Sequence, residues 1–208
     1  MRTAHAYGVA VALGASAAAH AAFTGFSVTT VGTVAGRDVY QVYANFDAPT
    51  DIILNVLKHN VTAGNMGNVV HNDFGGGSWN PTLTLLPEQV ASDSFVTVSG
   101  LTGVAASTNL DPGFGTGQGS TIPANAGWFN SNPSSNIVVG ASLRIMIMQV
   151  ALKAGTKGYS ASLEVGYKES PQATQPLFGS GSYTIPAPGA LALLMAAGAL
   201  RRRRRLDA

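Results

Sequence analysis

The sequence has no cysteine, which excludes disulfides and thiolate metal sites and leaves the core without covalent cross-links. Charge is scarce as well: Asp, Glu, Lys and Arg together make up 11% of the 208 residues. The middle of the chain lacks any sustained i, i+3, i+4, i+7 apolar spacing with caps, so a helical bundle and an α/β fold with crossover helices are both disfavoured. No Gly-x-Ser-x-Gly elbow sits on a strand-to-helix turn. The glycine-rich stretch at Gly113, Gly115, Gly117 and Gly119 lacks the Lys-Ser/Thr of a phosphate loop and reads as a plain loop.

A surplus of basic residues over the fold is also missing, although the pI near 9.0 suggests one. Six of the twelve Lys and Arg residues are Arg2 and Arg201 to Arg205. Residues 22–200 carry six basic against nine acidic side chains, a balance of −3. Nucleic acid is therefore not an expected partner.

What is present is hydrophobic content of 46%, 25 glycines, and apolar/polar alternation of period two. Phe23 to Val34, Asp38 to Phe46, Ile52 to Leu57, Phe95 to Val98, Leu143 to Leu152, Tyr159 to Tyr167 and Ser182 to Ile185 read as strands. Breakers separate them: Asn80-Pro81, Asp111-Pro112-Gly113, Asn132-Pro133 and Ser170-Pro171. The expected fold is all-β, an antiparallel β-sandwich of jelly-roll-like type over residues 22–184. Two long loops are expected at His59 to Pro81 and Leu101 to Ile137.

Both ends read as addresses. Arg2 begins a weakly positive stretch, Tyr7 to Ala19 is an apolar run too short to span a bilayer, and Ala19-His20-Ala21 is a small-x-small cleavage site that would leave Ala22 first. Residues 1–21 are thus expected to be a signal peptide, helical before removal. Residues 185–208 form the second address. Pro186-Ala187-Pro188 stops any strand, Ala190 to Leu200 favours helix, and Arg201, Arg202, Arg203, Arg204 and Arg205 form a cationic block. The run from Gly189 to Leu200 is about 18 Å long as a helix. A hydrocarbon core is about 30 Å thick, so the inner membrane would hold this helix only transiently.

This tail resembles the PEP-CTERM sorting signal of Gram-negative bacteria, which joins a Pro-x-Pro motif, a short apolar helix and a terminal Arg cluster. It departs at Ala187, where the family usually carries glutamate, and the Pro-Ala-Pro variant points toward planctomycete-like members. The resemblance implies export, processing by signal peptidase and an exosortase-like enzyme, and retention at the cell surface or in the extracellular matrix with polysaccharide. It does not extend to the central domain, whose family it leaves open.

Candidate sites in that domain are few. Trp79 and Trp128, followed by Phe129, fall in the two long loops and could stack on sugar rings, or could instead be lids pinned over a core edge. No cofactor is expected apart from calcium, for which Asp73 with Asn68 and Asn72 offers oxygen ligands; the same residues make ordinary Asx turns. His59 and His71 could join Asp73 at a metal, or be solvated loop residues. Glu88, Glu164 and Glu169 are carboxylates enough for a glycosidase, with Glu164 expected to face solvent. The expected function is a non-enzymatic structural or carbohydrate-associated surface protein; the alternative is a secreted polysaccharide or peptide hydrolase.

Overall fold

The computed structural model describes residues 23–71, 79, 91–98, 108–114, 121–130 and 137–187. Among these the chain is all-β, with two antiparallel sheets. The strands are β1 (Phe23–Val34), β2 (Arg37–Phe46), β3 (Ile52–Ala63), β4 (Phe95–Val96), β5 (Thr108–Leu110), β6 (Ala126–Asn130), β7 (Arg144–Lys153), β8 (Ser160–Lys168) and β9 (Leu177–Thr184). One sheet has the order β1-β2-β7-β4 and the other β5-β6-β3-β8-β9.

Alternation in the sequence becomes alternation in burial. In β8, Ala161, Leu163, Val165 and Tyr167 point inward while Ser160, Ser162 and Glu164 point out. β7 is different: every residue from Ile145 to Leu152 is buried, as expected of a continuous apolar run in a central strand covered on both faces. Its edge away from β2 is paired in the plane of the sheet by the segment holding β4, where Thr97 N donates to Ile147 O, and by Val70 N donating to Ala151 O.

Both sheets contribute to one apolar core, with Val42, Phe46 and Ile147 from one and Ile53, Val56 and Val165 from the other. An aromatic series bridges them. Phe26 packs edge-on against Phe23 (4.8 Å between centroids), Phe23 against Phe46 (5.9 Å), and Phe46 against Tyr167 of the second sheet (5.4 Å). Gly179 and Gly181 of β9 lie under Phe23 and Phe26, and a Cβ at Gly179 would strike the Phe23 ring.

Among the described strands the hairpins β1–β2, β5–β6 and β8–β9 each stay within one sheet, while the other five connections cross from one sheet to the other. Two features differ from the sequence expectation. The loop expected from Leu101 to Ile137 contains β5 and β6, and Asp111 Oδ1 accepts from Gly113 N in a short turn after β5. β3 runs on through His59 to Ala63, six residues past its expected end. Bulges between Ile53 and Asn55 and between Leu57 and Asn60 change its inward positions to Ile53, Val56 and His59, a spacing of three instead of two. Lys58, at φ 55°, makes the second of these turns.

The signal segment, its cleavage residues Ala19, Ala21 and Ala22, the apolar tail, Pro188, and Arg201 to Arg205 lie outside the described residues. So do Asn72, Asp73 and Glu88.

Candidate functional site

The bulge at Lys58 places His59 inside the second sheet, where it is fully buried, and not in a solvated loop. Its Nε2 lies 3.0 Å from Tyr183 Oη on β9, and Tyr183 Oη lies 3.1 Å from Tyr159 Oη. All three side chains are buried, and Nδ1 of His59 has no hydrogen-bond partner. Burial holds the imidazole neutral, its pKa lowered to about 4. Burial raises both phenols, opposed at Tyr159 by its bond to Tyr183 and reinforced at Tyr183 by Tyr159.

Above this chain of groups lies a cleft of about 420 Å³, walled by His59, Asn60, Asn65, Met66, Thr121 and Ile122 among others. The Asn60 amide donates to Asn125 Oδ1 (2.9 Å) and to Lys58 O (3.2 Å), and Asn65 Oδ1 accepts from Gly67 N (2.9 Å). The walls therefore combine apolar surface with the carboxamides of Asn60 and Asn65, while the unpaired His59 Nδ1 is buried. Such a surface can exchange hydrogen bonds with a neutral polar ligand.

A second cluster brings together a serine, a histidine and an aspartate. His71 Nδ1 donates to Ser94 O (2.8 Å) and stands 3.9 Å from Asp93 Oδ1. The arrangement is not a triad. Ser94 Oγ accepts from Ala151 N (2.8 Å) and donates to Ala151 O (3.3 Å), so the hydroxyl completes the edge of β7 and does not face the imidazole. His71 stacks on Trp79 with 4.4 Å between centroids and 14° between planes.

The sequence-nominated sugar platforms are corrected by this geometry. Trp79 and Trp128 are both 0% exposed. Trp128 is an inward residue of β6, its Nε1 donating to Thr97 O at 3.0 Å across the core. Only Phe129, next to it on the outward face, reaches solvent. Neither indole offers a ring face to a glycan, because both are core residues.

The remaining candidates are dispersed. Glu164 faces outward from β8 and pairs with Lys58 Nζ at 3.1 Å. Glu169 follows the end of β8, five residues on, which is about 16 Å of strand and on the opposite face. Inverting glycosidase carboxylates stand roughly 6.5–9.5 Å apart, so these two do not form such a pair. Asn68, from the proposed calcium set, donates to Lys157 O at 3.3 Å. Among the described residues no group of three or more His, Asp or Glu side chains is gathered to hold a metal. Pro186 and Ala187 line a groove of about 510 Å³ with Tyr159, Lys157 and Ile185. No helix among the described residues is long and apolar enough to cross a membrane.

No protein-family model, no curated protein and no solved structure matches the chain.

Proposed function

We propose that the chain is an exported protein of the cell surface or extracellular matrix, a β-sandwich with a structural or carbohydrate-associated and non-enzymatic role. In the precursor an N-terminal signal helix and a short C-terminal apolar helix flank the sandwich. Signal peptidase removes the first. The second holds the protein transiently in the inner membrane until an exosortase-like enzyme acts at the PEP-CTERM-like tail.

The supporting observation is where the fold ends. Ile185 N donates to Tyr159 O at 2.8 Å, the last hydrogen-bonded rung of the second sheet, and Pro186 follows with no amide hydrogen to give. The Pro-x-Pro motif begins at that point, so trimming there keeps every described core residue, the last of which is Ile185, in the mature chain. With the tryptophans in the core, this reading assigns polysaccharide to the amide-rimmed cleft beside His59.

The test is expression of the full chain in a Gram-negative host, followed by fractionation and mass measurement of the mature protein. A product in the surface or matrix fraction that begins at Ala22 and lacks the Arg201–Arg205 block is expected. A cytosolic protein with Met1 and Ala208 intact would overturn the reading.

A further inference from the structure

A sheet edge is a row of backbone N–H and C=O groups open to another strand, and natural sheets blunt their edges. Three of the four edges among the described residues are blunted. β4 has two residues and β5 three, while β1 carries bulges between Phe23 and Gly25 and between Thr30 and Gly32. β9, the last strand of the second sheet, has none of these devices. Its eight residues pair with β8 without a register shift, and Leu177 to Thr184 contains no proline and no charged side chain.

Which groups of β9 face outward follows from one hydrogen bond. Ile185 N donates to Tyr159 O at 2.8 Å, so the odd-numbered residues of this strand turn their N–H and C=O toward β8. The even-numbered ones, Phe178, Ser180, Ser182 and Thr184, turn theirs away from it. Gly166, opposite Phe178, agrees: its N–H goes to Asn55 Oδ1 on β3 (3.1 Å) and not to β9. Among the described residues no hydrogen bond reaches these outward backbone groups. The same four side chains are exposed on the outer face, Phe178 at 57%. Pro176 and Pro186 are the next residues of that parity, equally far from Gly181, and neither has an N–H to offer. The open edge is therefore a segment symmetric about Gly181.

We propose that β9 docks a second copy of this chain, the two strands pairing antiparallel about a two-fold axis at Gly181. Two five-stranded sheets then become one continuous sheet. In this register Phe178 faces the partner's Thr184, an aromatic opposite a β-branched residue, and Ser180 faces the partner's Ser182. Both are favourable cross-strand pairs, and symmetry makes each of them twice. No like charges meet, because the strand carries none. A second copy also matches the proline spacing at both ends, Pro176 falling beside the partner's Pro186, which a strand of unrelated sequence has no reason to do. The prolines stop the ladder there, and the two-fold axis uses both open edges, so the product is a closed dimer and not a fibre. The pairing is independent of the sorting reading and of the His59 cleft.

The experiment is sedimentation equilibrium of the full-length protein. The mass is expected to rise with concentration toward twice the 21.2 kDa of one chain, dimer predominating by about 0.1 mM. Ser182→Pro removes one outward N–H and leaves every rung to β8 in place, so it is expected to fold and to stay monomeric over that range. A native chain that is monomeric throughout overturns the proposal, as does a dimer that S182P leaves intact. Should S182P not fold, S180K/S182K replaces it, setting like charges opposite each other across the axis: loss of the dimer supports the edge, and an undiminished dimer overturns it. The register has its own test, because the chain has no cysteine. Facing residues of a hydrogen-bonded pair stand about 5.5 Å apart at Cα, within disulfide reach. Mild oxidation of S180C mixed with S182C is expected to give several-fold more linked dimer than either variant alone; equal yields overturn the pairing about Gly181.

Discussion

Tyr183 Oη and His59 Nε2 stand 3.0 Å apart, reaching from β9 and β3 across the intervening β8 of the second sheet, each the other's polar partner in a buried interior. Tyr183 also meets Tyr159, so its hydroxyl serves two buried groups at once. Tyr183→Phe therefore leaves both without a partner and is expected to cost about 2–4 kcal/mol, the penalty of two unsatisfied polar groups. Tyr159→Phe strands nothing at His59 and should cost less. Urea denaturation of the two variants measures the difference, and equal costs would refute the shared role.

His59 should also set part of the acid response. Its folded pKa, about 4, lies below the ordinary 6.5, so between these values the unfolded chain binds a proton that the folded chain refuses. Stability must then fall as pH drops from about 6.5 to 4, by roughly 3 kcal/mol at most. His59→Gln removes this contribution. The difference between native and H59Q unfolding free energies, followed across that window, should show the slope; a difference independent of pH would mean the imidazole is not held neutral.

The two tryptophans give opposite expectations for folding and for binding. Trp128→Ala opens the core and breaks the bond to Thr97 O, at a cost of about 3–5 kcal/mol. Trp128→Phe retains most of the volume and should lower stability by only about 1–3 kcal/mol, through loss of the indole's bond to Thr97 O. Polysaccharide retention by W128F should equal that of the native protein. Loss of retention in a folded W128F would restore the stacking role.

Gly158 is a sensitive point for the end of the fold. A Cβ there would meet the Ile185 carbonyl, part of the residue that forms the last rung with Tyr159. Gly158→Ala should loosen Ile185 and expose the bonds beyond Tyr183 to limited proteolysis, whereas Gly140→Ala, strained by its own φ of 69° but with nothing for its Cβ to strike, should not. Equal cleavage of the two variants would show that the rung is not held by this approach.

Much of the fold was legible because alternation is a direct image of a half-buried sheet. β2, β7 and β8 were readable within one or two residues, and all-β architecture followed. β3 was cut short because the first two of its three bulges make the inward residues recur every third position, a rhythm that period-two reading discards. β5 and β6 hid within a glycine-rich stretch, where three to five residues give too little pattern. Trp128 was misplaced for the same reason, since an indole in an apparent loop looks exposed until the loop becomes a strand; Trp79 lies outside the strands and is buried in its stack on His71. Asp51, which is fully buried, carried no signal at all, since Pro49-Thr50-Asp51 reads as an ordinary polar turn. Only the closure of β3 against β8, and of Val139 against Asp51, takes its carboxylate out of water.

The pairing of β9 with β8 has a mechanical consequence. Eight residue pairs, from Ser160 with Thr184 to Tyr167 with Leu177, join the two strands, and the chain leaves from the Thr184 end. A tether at the tail that tugs in line with β9 loads all eight pairs in parallel, whereas a sideways tug peels them one at a time. The direction in which an anchored molecule is strained, more than the size of the force, would then decide whether it stays folded.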